Sequence, residues 1–91
     1  MKKELIGQRI RELRISKTSL SQEDFATLVG FDRTYLSRVE SGKQNLTLES
    51  ISTICFGLHI SLSEFFSPFN EIESDGNENE EKKTKSIVPN P

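Results

Sequence analysis

Between Leu20 and Phe65 the chain repeats one short pattern four times: an apolar residue, a small polar residue, and a second apolar residue four places after the polar one. It reads Leu20-Ser21 with Phe25, Phe31-Asp32 with Leu36, Leu46-Thr47 with Ile51, and Ile60-Ser61 with Phe65. A Ser, Thr or Asp at a helix start accepts a hydrogen bond from an orphan backbone N–H, a contact worth about 1 kcal/mol. The flanking apolar pair forms a hydrophobic staple that fixes the angle at which the chain enters the helix. Glu64, three residues after Ser61, completes a capping box at the last start.

The pattern predicts helices over about 22–29, 33–41 and 48–58, and a short one from Leu62 to near Pro68. Gly30 and Gly42 stand where left-handed caps would end the first two of these. Leu48, Ile51, Cys55 and Leu58 read as the inner stripe of the 48–58 helix. An earlier helix, about 3–17, carries Ile6, Ile10 and Leu13 on one face at helical period. No segment alternates for long enough to suggest a sheet, so the expected class is all-α with five helices.

After Phe69 the composition changes. Residues 70–91 are rich in Asn, Glu, Ser and Lys, with Ile72, Ile87 and Val88 as the only aliphatic side chains. Such a segment cannot bury enough apolar surface to offset its conformational entropy. The expected division is therefore one folded domain over 1–69 and a disordered acidic tail over 70–91. The tail is read as a solubilising segment, with a screen over a basic face or a partner-binding strip as alternatives.

Catalysis is disfavoured. Cys55 and His59 are each the sole residue of their type, so neither an internal disulfide nor a tetrahedral zinc site can be assembled, and no cofactor is expected. No apolar run resembles a signal peptide or a spanning segment, which points to a cytoplasmic protein with no membrane partner. The net charge of −2 averages two unlike parts. Residues 1–67 carry nine Lys/Arg against eight Asp/Glu, whereas 68–91 carry three against six. The folded part is nearly neutral with local basic clusters, and local charge is what a polyanion meets.

Two helices joined by Gly30-Phe31-Asp32 have the geometry of a helix-turn-helix. Ala26 is small enough to let the second of them cross close by, and Leu36 and Val39 hold that helix to the core. Arg33, Thr34, Ser37 and Arg38 are then left facing outward. An Arg fork matches the O6/N7 acceptors of guanine in the major groove, and Thr offers both a methyl and a hydroxyl. The bland alternative is an ordinary solvated helix face.

The stretch Ser21-Gln22-Glu23-Asp24-Phe25-Ala26, with Val29-Gly30 and Tyr35-Leu36-Ser37-Arg38-Val39-Glu40-Ser41-Gly42-Lys43, resembles the Xre/Cro-type helix-turn-helix of phage repressors. The resemblance runs over roughly 5–67 and implies a five-helix, lambda-repressor-like DNA-binding domain. Asp32-Arg33-Thr34-Tyr35 followed by Asn45-Leu46-Thr47 is similar to the controller proteins of restriction-modification systems, which bind palindromic operators as dimers. By this resemblance Arg33, Thr34, Ser37 and Arg38 become base readers. Gln22, Tyr35, Lys43, Asn45 and Thr47 become phosphate contacts, Thr47 being also a cap. Arg14 and Glu40 match the family's internal ion pair. Three departures stand out: the connection at Thr18-Ser19-Leu20 is about one residue longer than usual, His59 replaces a customary glycine cap, and Phe56 replaces a polar residue.

Phe56, Phe65, Phe66 and Phe69 put four aromatics at the end of a small domain. With Phe65 assigned to the core, Phe56, Phe66 and Phe69 are expected at a homodimer interface, since a monomer should not expose so large a patch. The alternative packs all four into a monomer's core. An activator would also need a surface for RNA polymerase, for which Glu23 and Asp24 are the candidates. A second functional class is an antitoxin-like interaction module with secondary DNA binding, in which only the acidic tail could hold a partner.

Overall fold

In a computed structural model of the protein, which describes residues 2–69, the helix starts fall where the repeated pattern sets them. The order is α1 (Lys3–Leu13), a π-helical turn (Arg14–Thr18), α2 (Gln22–Val29), α3 (Arg33–Glu40), α4 (Leu48–Leu58), α5 (Leu62–Phe66) and a closing 3-10 turn (Ser67–Phe69). Among the described residues there is no strand, and no helix is long and apolar enough to cross a membrane.

Three of the four caps form. The hydroxyls of Ser21, Thr47 and Ser61 accept from the backbone N–H of Asp24, Ser50 and Glu64 at 3.0, 3.0 and 2.9 Å. Asp32 has extended backbone at the start of α3 but makes no side-chain cap. The Glu64 carboxylate, expected to complete a capping box, instead accepts from Lys17 Nζ at 3.3 Å. All four staples pack nonetheless. Phe25, Leu36, Ile51 and Phe65 are buried, and Leu20, Phe31, Leu46 and Ile60 lie half-buried against the same core.

Ile6, Ile10 and Leu13 from α1 meet Phe25, Ala26, Leu36, Val39, Ile54, Leu58 and Phe65 in one cluster. Two glycines set how closely the helices approach. A Cβ on Gly7 would run into the carbonyl oxygen of Val39 and come within 2.8 Å of that of Glu40, so α1 rests directly on the backbone of α3. A Cβ on Gly57 would strike a methyl of Val29 and touch the Phe25 ring at 3.4 Å, so α4 packs closely on the side chains of α2. His59 ends α4 at φ 61°, the left-handed geometry usually given to glycine. Cys55 is buried in α4, and that burial pushes its thiol pKa up, partly offset by the charge of Arg9.

The first helix departs from expectation at its end. The α-helix stops at Leu13, and Arg14–Thr18 form the wider turn, with the Ser19 N–H reaching the Arg14 carbonyl at 3.2 Å. Leu48, assigned from the sequence to the inner stripe of α4, is 66% exposed. It is the first residue of that helix, and the inward face is built by Ile51, Ile54, Cys55 and Leu58. The tail expected after Phe69 lies outside the described residues.

In an isolated helix, Gly→Ala adds stability of about 1 kcal/mol. At Gly7 the sign should invert: Gly7→Ala is expected to destabilise by roughly 1–3 kcal/mol through overpacking against α3. Urea unfolding followed by far-UV circular dichroism measures this.

Candidate nucleic-acid interface

The α3 helix is buried along Leu36, Val39 and Glu40 and exposed at Arg33, Thr34, Ser37 and Arg38. Helical spacing places 33 and 37 one turn apart, and 34 and 38 likewise, so the four side chains share one solvent-facing strip. Two guanidinium groups and two hydroxyls therefore project from a helix whose other side is held on three fronts. Leu36 and Val39 pack on the core, Gly7 brings α1 against its last turn, and Glu40 binds Arg14.

The Arg14–Glu40 contact is bidentate. Arg14 Nε donates to Glu40 Oε2 at 2.7 Å, and Nη2 donates to Oε1 at 3.0 Å. The side chains are 9% and 2% exposed, so water cannot stand in for either partner. Arg14 Nη1 also donates to the Leu20 carbonyl at 2.8 Å, which ties the chain entering α2 to the same group. The pairing that the family resemblance implied for Arg14 and Glu40 is thus present.

Gln22 does more than its sequence reading assigned. Its amide Nε2 donates to Glu40 Oε1 at 3.0 Å, so one of its two amide hydrogens serves the buried carboxylate. The other hydrogen and the N-terminus of α2 are what remain for an anion. Tyr35 is half-buried, edge-on to Phe31 at 5.1 Å, and its hydroxyl donates to Ser50 Oγ at 3.3 Å. Thr47 Oγ1 donates to the same Ser50 oxygen at 3.1 Å while capping α4. Tyr35, Thr47 and Ser50 form a hydroxyl cluster at the start of α4, and Ser50 is a member that the sequence reading missed. Lys43, Asn45 and Thr47 are exposed along the α3–α4 loop.

That loop is fastened to the end of α3. Gly42 N–H reaches the Val39 carbonyl at 3.1 Å and Lys43 N–H reaches that of Arg38 at 2.9 Å, the two bonds of a Schellman motif. The Arg38 side chain bends back along the same loop, donating from Nη2 to the Lys43 carbonyl at 2.9 Å and from Nε to Gln44 Oε1 at 3.2 Å. No pattern in the sequence pointed to Gln44.

The aromatic residues divide differently from expectation. Phe56 is 83% exposed on the outer side of α4, and Phe66 is half-buried, edge-on to Phe65 at 5.0 Å. Phe69 is corrected: it is 5% exposed and belongs to the monomer's own core, so it is not free to line an interface. The 3-10 turn folds it back, and Arg9 secures this end by donating to the Phe65 and Glu64 carbonyls, both at 2.9 Å. Leu48 and Leu62, 66% and 37% exposed, add apolar surface on α4 and α5 that the sequence reading did not assign to an interface.

A helix of this composition, held across a second one by a glycine-containing turn, defines a helix-turn-helix protein. The helix-turn-helix family model matches residues 10–65, and the chain belongs to that family. Within it, the chain is 49% identical over 61 residues to the control protein C.MunI of Mycoplasma sp, spanning 67% of this chain and 82% of that one. The crystal structure of the restriction-modification controller protein C.AhdI from Aeromonas hydrophila matches with a TM-score of 0.65 and 44% identity, covering 70% of this chain and 96% of that one. The controller protein C.Esp1396I, solved as a tetramer in complex with its natural 35 base-pair operator, matches with a TM-score of 0.68 and 33% identity over 76% of this chain and 90% of that one.

Removing one member of the buried pair should be costly. Glu40→Ala leaves the Arg14 guanidinium without its partner, and the expected loss is about 3–5 kcal/mol of unfolding free energy in urea. Replacing both, as in Arg14→Met with Glu40→Leu, should cost less than the single change.

Proposed function

We propose that this protein is a sequence-specific, double-stranded DNA-binding transcription regulator that controls a restriction-modification operon and acts as a homodimer on palindromic operators. The observation that carries this reading is the exposed strip of Arg33, Thr34, Ser37 and Arg38 on a helix fixed from behind. Similarity to controller proteins, one of them in complex with its operator, supports it.

In this reading α3 enters the major groove. An Arg fork on guanine O6 and N7 discriminates that base by about 1–3 kcal/mol. Thr34 and Ser37 supply shorter hydroxyl contacts to base edges. Lys43 and Asn45 approach phosphates from one flank, joined by the hydroxyls of Tyr35 and Thr47, which turn their hydrogens from Ser50 to a phosphate oxygen. Gln22 and the N-terminus of α2 face the backbone on the other flank. These contacts set register and orientation, whereas the base contacts set sequence preference. The protein works by binding rather than by catalysis, in the cytoplasm where bacterial DNA lies.

We assign the exposed side chains of Phe56, Leu48 and Leu62 to the dimer interface, together with half-buried Phe66. A two-fold axis through this surface sets two recognition helices about one DNA turn, roughly 34 Å, apart.

Arg33→Ala is expected to reduce discrimination between operator and scrambled duplex by about 1–3 kcal/mol. Helicity should stay unchanged, and mobility shift paired with circular dichroism measures both. Lys43→Ala should weaken binding to all duplexes alike and lower the slope of log K against log salt by about one. An unaltered operator preference in Arg33→Ala argues against α3 as the reader.

Sedimentation equilibrium at micromolar concentration should give a dimer for the native chain and a monomer for Phe56→Glu. A native chain that stays monomeric removes the dimer from the proposal.

A further inference from the structure

We propose that Gln44 is a specificity-positioning residue: it holds Arg38 so that one edge of the guanidinium is fixed by the protein and the other is presented to a base. The inference rests on the reading of α3 as the base-reading helix.

A guanidinium has two edges that can each make a pair of parallel hydrogen bonds. The side edge consists of Nε–H and one hydrogen of Nη2, and the end edge consists of hydrogens on Nη1 and Nη2. In Arg38 the side edge is occupied, by Gln44 Oε1 at 3.2 Å from Nε and by the Lys43 carbonyl at 2.9 Å from Nη2. The end edge has no protein partner among the described residues, so it is the edge left to take guanine O6 and N7 two bonds at a time. Arg38 itself is exposed, so nothing covers the group it presents.

The anchor is itself rigid. Lys43, whose carbonyl takes the Nη2 hydrogen, is held by its own N–H on the Arg38 carbonyl at 2.9 Å. The backbone and side chain of one arginine are thus bonded to the same loop residue from opposite ends. Ser41 Oγ donates to that same Arg38 carbonyl at 3.2 Å. Gln44 supplies the remaining bond, and it is half-buried rather than free in solvent. A long side chain that would otherwise lose several rotors on binding is set in place before DNA arrives, and such preorganisation increases affinity by sparing ordering entropy. A lysine at 38 could not do this, because a single ammonium has no second edge to present.

The test uses the full chain and a pool of randomised double-stranded DNA, with selected sequences read out for wild type, Arg38→Ala, Gln44→Leu, Gln44→Glu and the double variant Arg38→Ala/Gln44→Leu. Gln44→Leu keeps the bulk and removes the acceptor. The expected result is a two- to tenfold (approximate) loss of preference at the base pair that Arg38→Ala also relaxes, and at no other. Binding to a scrambled duplex should be unchanged. The double variant should be no worse than Arg38→Ala alone. Gln44→Glu retains an acceptor for Nε, so it should keep the base preference while binding every duplex more weakly through its added charge. A merely structural role would lower binding to all sequences and would not be rescued by the acceptor. If wild type selects a sequence and Gln44→Leu selects the same one with equal sharpness, the inference is overturned while α3 remains the reader. If wild type selects no sequence, the functional reading is overturned and this inference falls with it.

Discussion

The architecture depends on a buried charge contact more than on any single apolar one. Glu40, on the last residue of α3, is almost wholly removed from water and depends on Arg14 and Gln22 for hydrogen bonds. Arg14 lies just beyond α1, and Gln22 opens α2. Three elements therefore converge on one carboxylate. Apolar packing tolerates rotation of a helix about its axis, whereas a two-point fork does not. The pair contributes orientation, and a buried ion pair in general contributes little net stability over an apolar replacement. What it orients is the helix whose opposite side carries Arg33, Thr34, Ser37 and Arg38.

The core and the outer strip are consequences of the same placement. Gly7 lets α1 lie against the backbone of α3, leaving α3 no room to roll, and the staples seat Phe25, Leu36, Ile51 and Phe65 in one cluster. With the inner positions of α3 committed, its remaining positions are outward by elimination. The α3–α4 loop then inherits its course from the Schellman bonds, which carry Lys43 and Gln44 back alongside Arg38. Fold and candidate site are therefore one mechanical unit rather than a scaffold with a loop attached.

Most of the helix starts were legible because capping and stapling are local: each joins residues within five positions, and three of four caps form as read. The exposed strip on α3 was legible for the same reason, since periodicity assigned Leu36 and Val39 inward. What escaped were contacts across long separations. Arg9 binds carbonyls 55 and 56 residues away, and nothing about an arginine on a helix announces that partner. Phe69 goes inside because the chain turns back after α5, a path no local pattern specifies. Leu48 reads as inward only if the period of α4 is extended to its first residue, where the helix has just begun and the core lies further along. Gln44 escaped because a polar side chain in a loop becomes informative only once the residue it touches is known. The family resemblance supplied Arg14 and Glu40, which spacing alone would not have joined.

The π-helical turn at Arg14–Thr18 bears on how the segment between Arg14 and α2 can absorb a change of length. A wider ring takes in one more residue than an α turn for nearly the same advance along the axis. The extra residue is taken up inside the helix, on the turn whose first residue, Arg14, meets Glu40. Removing one residue from 15–18 is therefore expected to return that turn to α geometry while leaving Arg14 opposite the carboxylate.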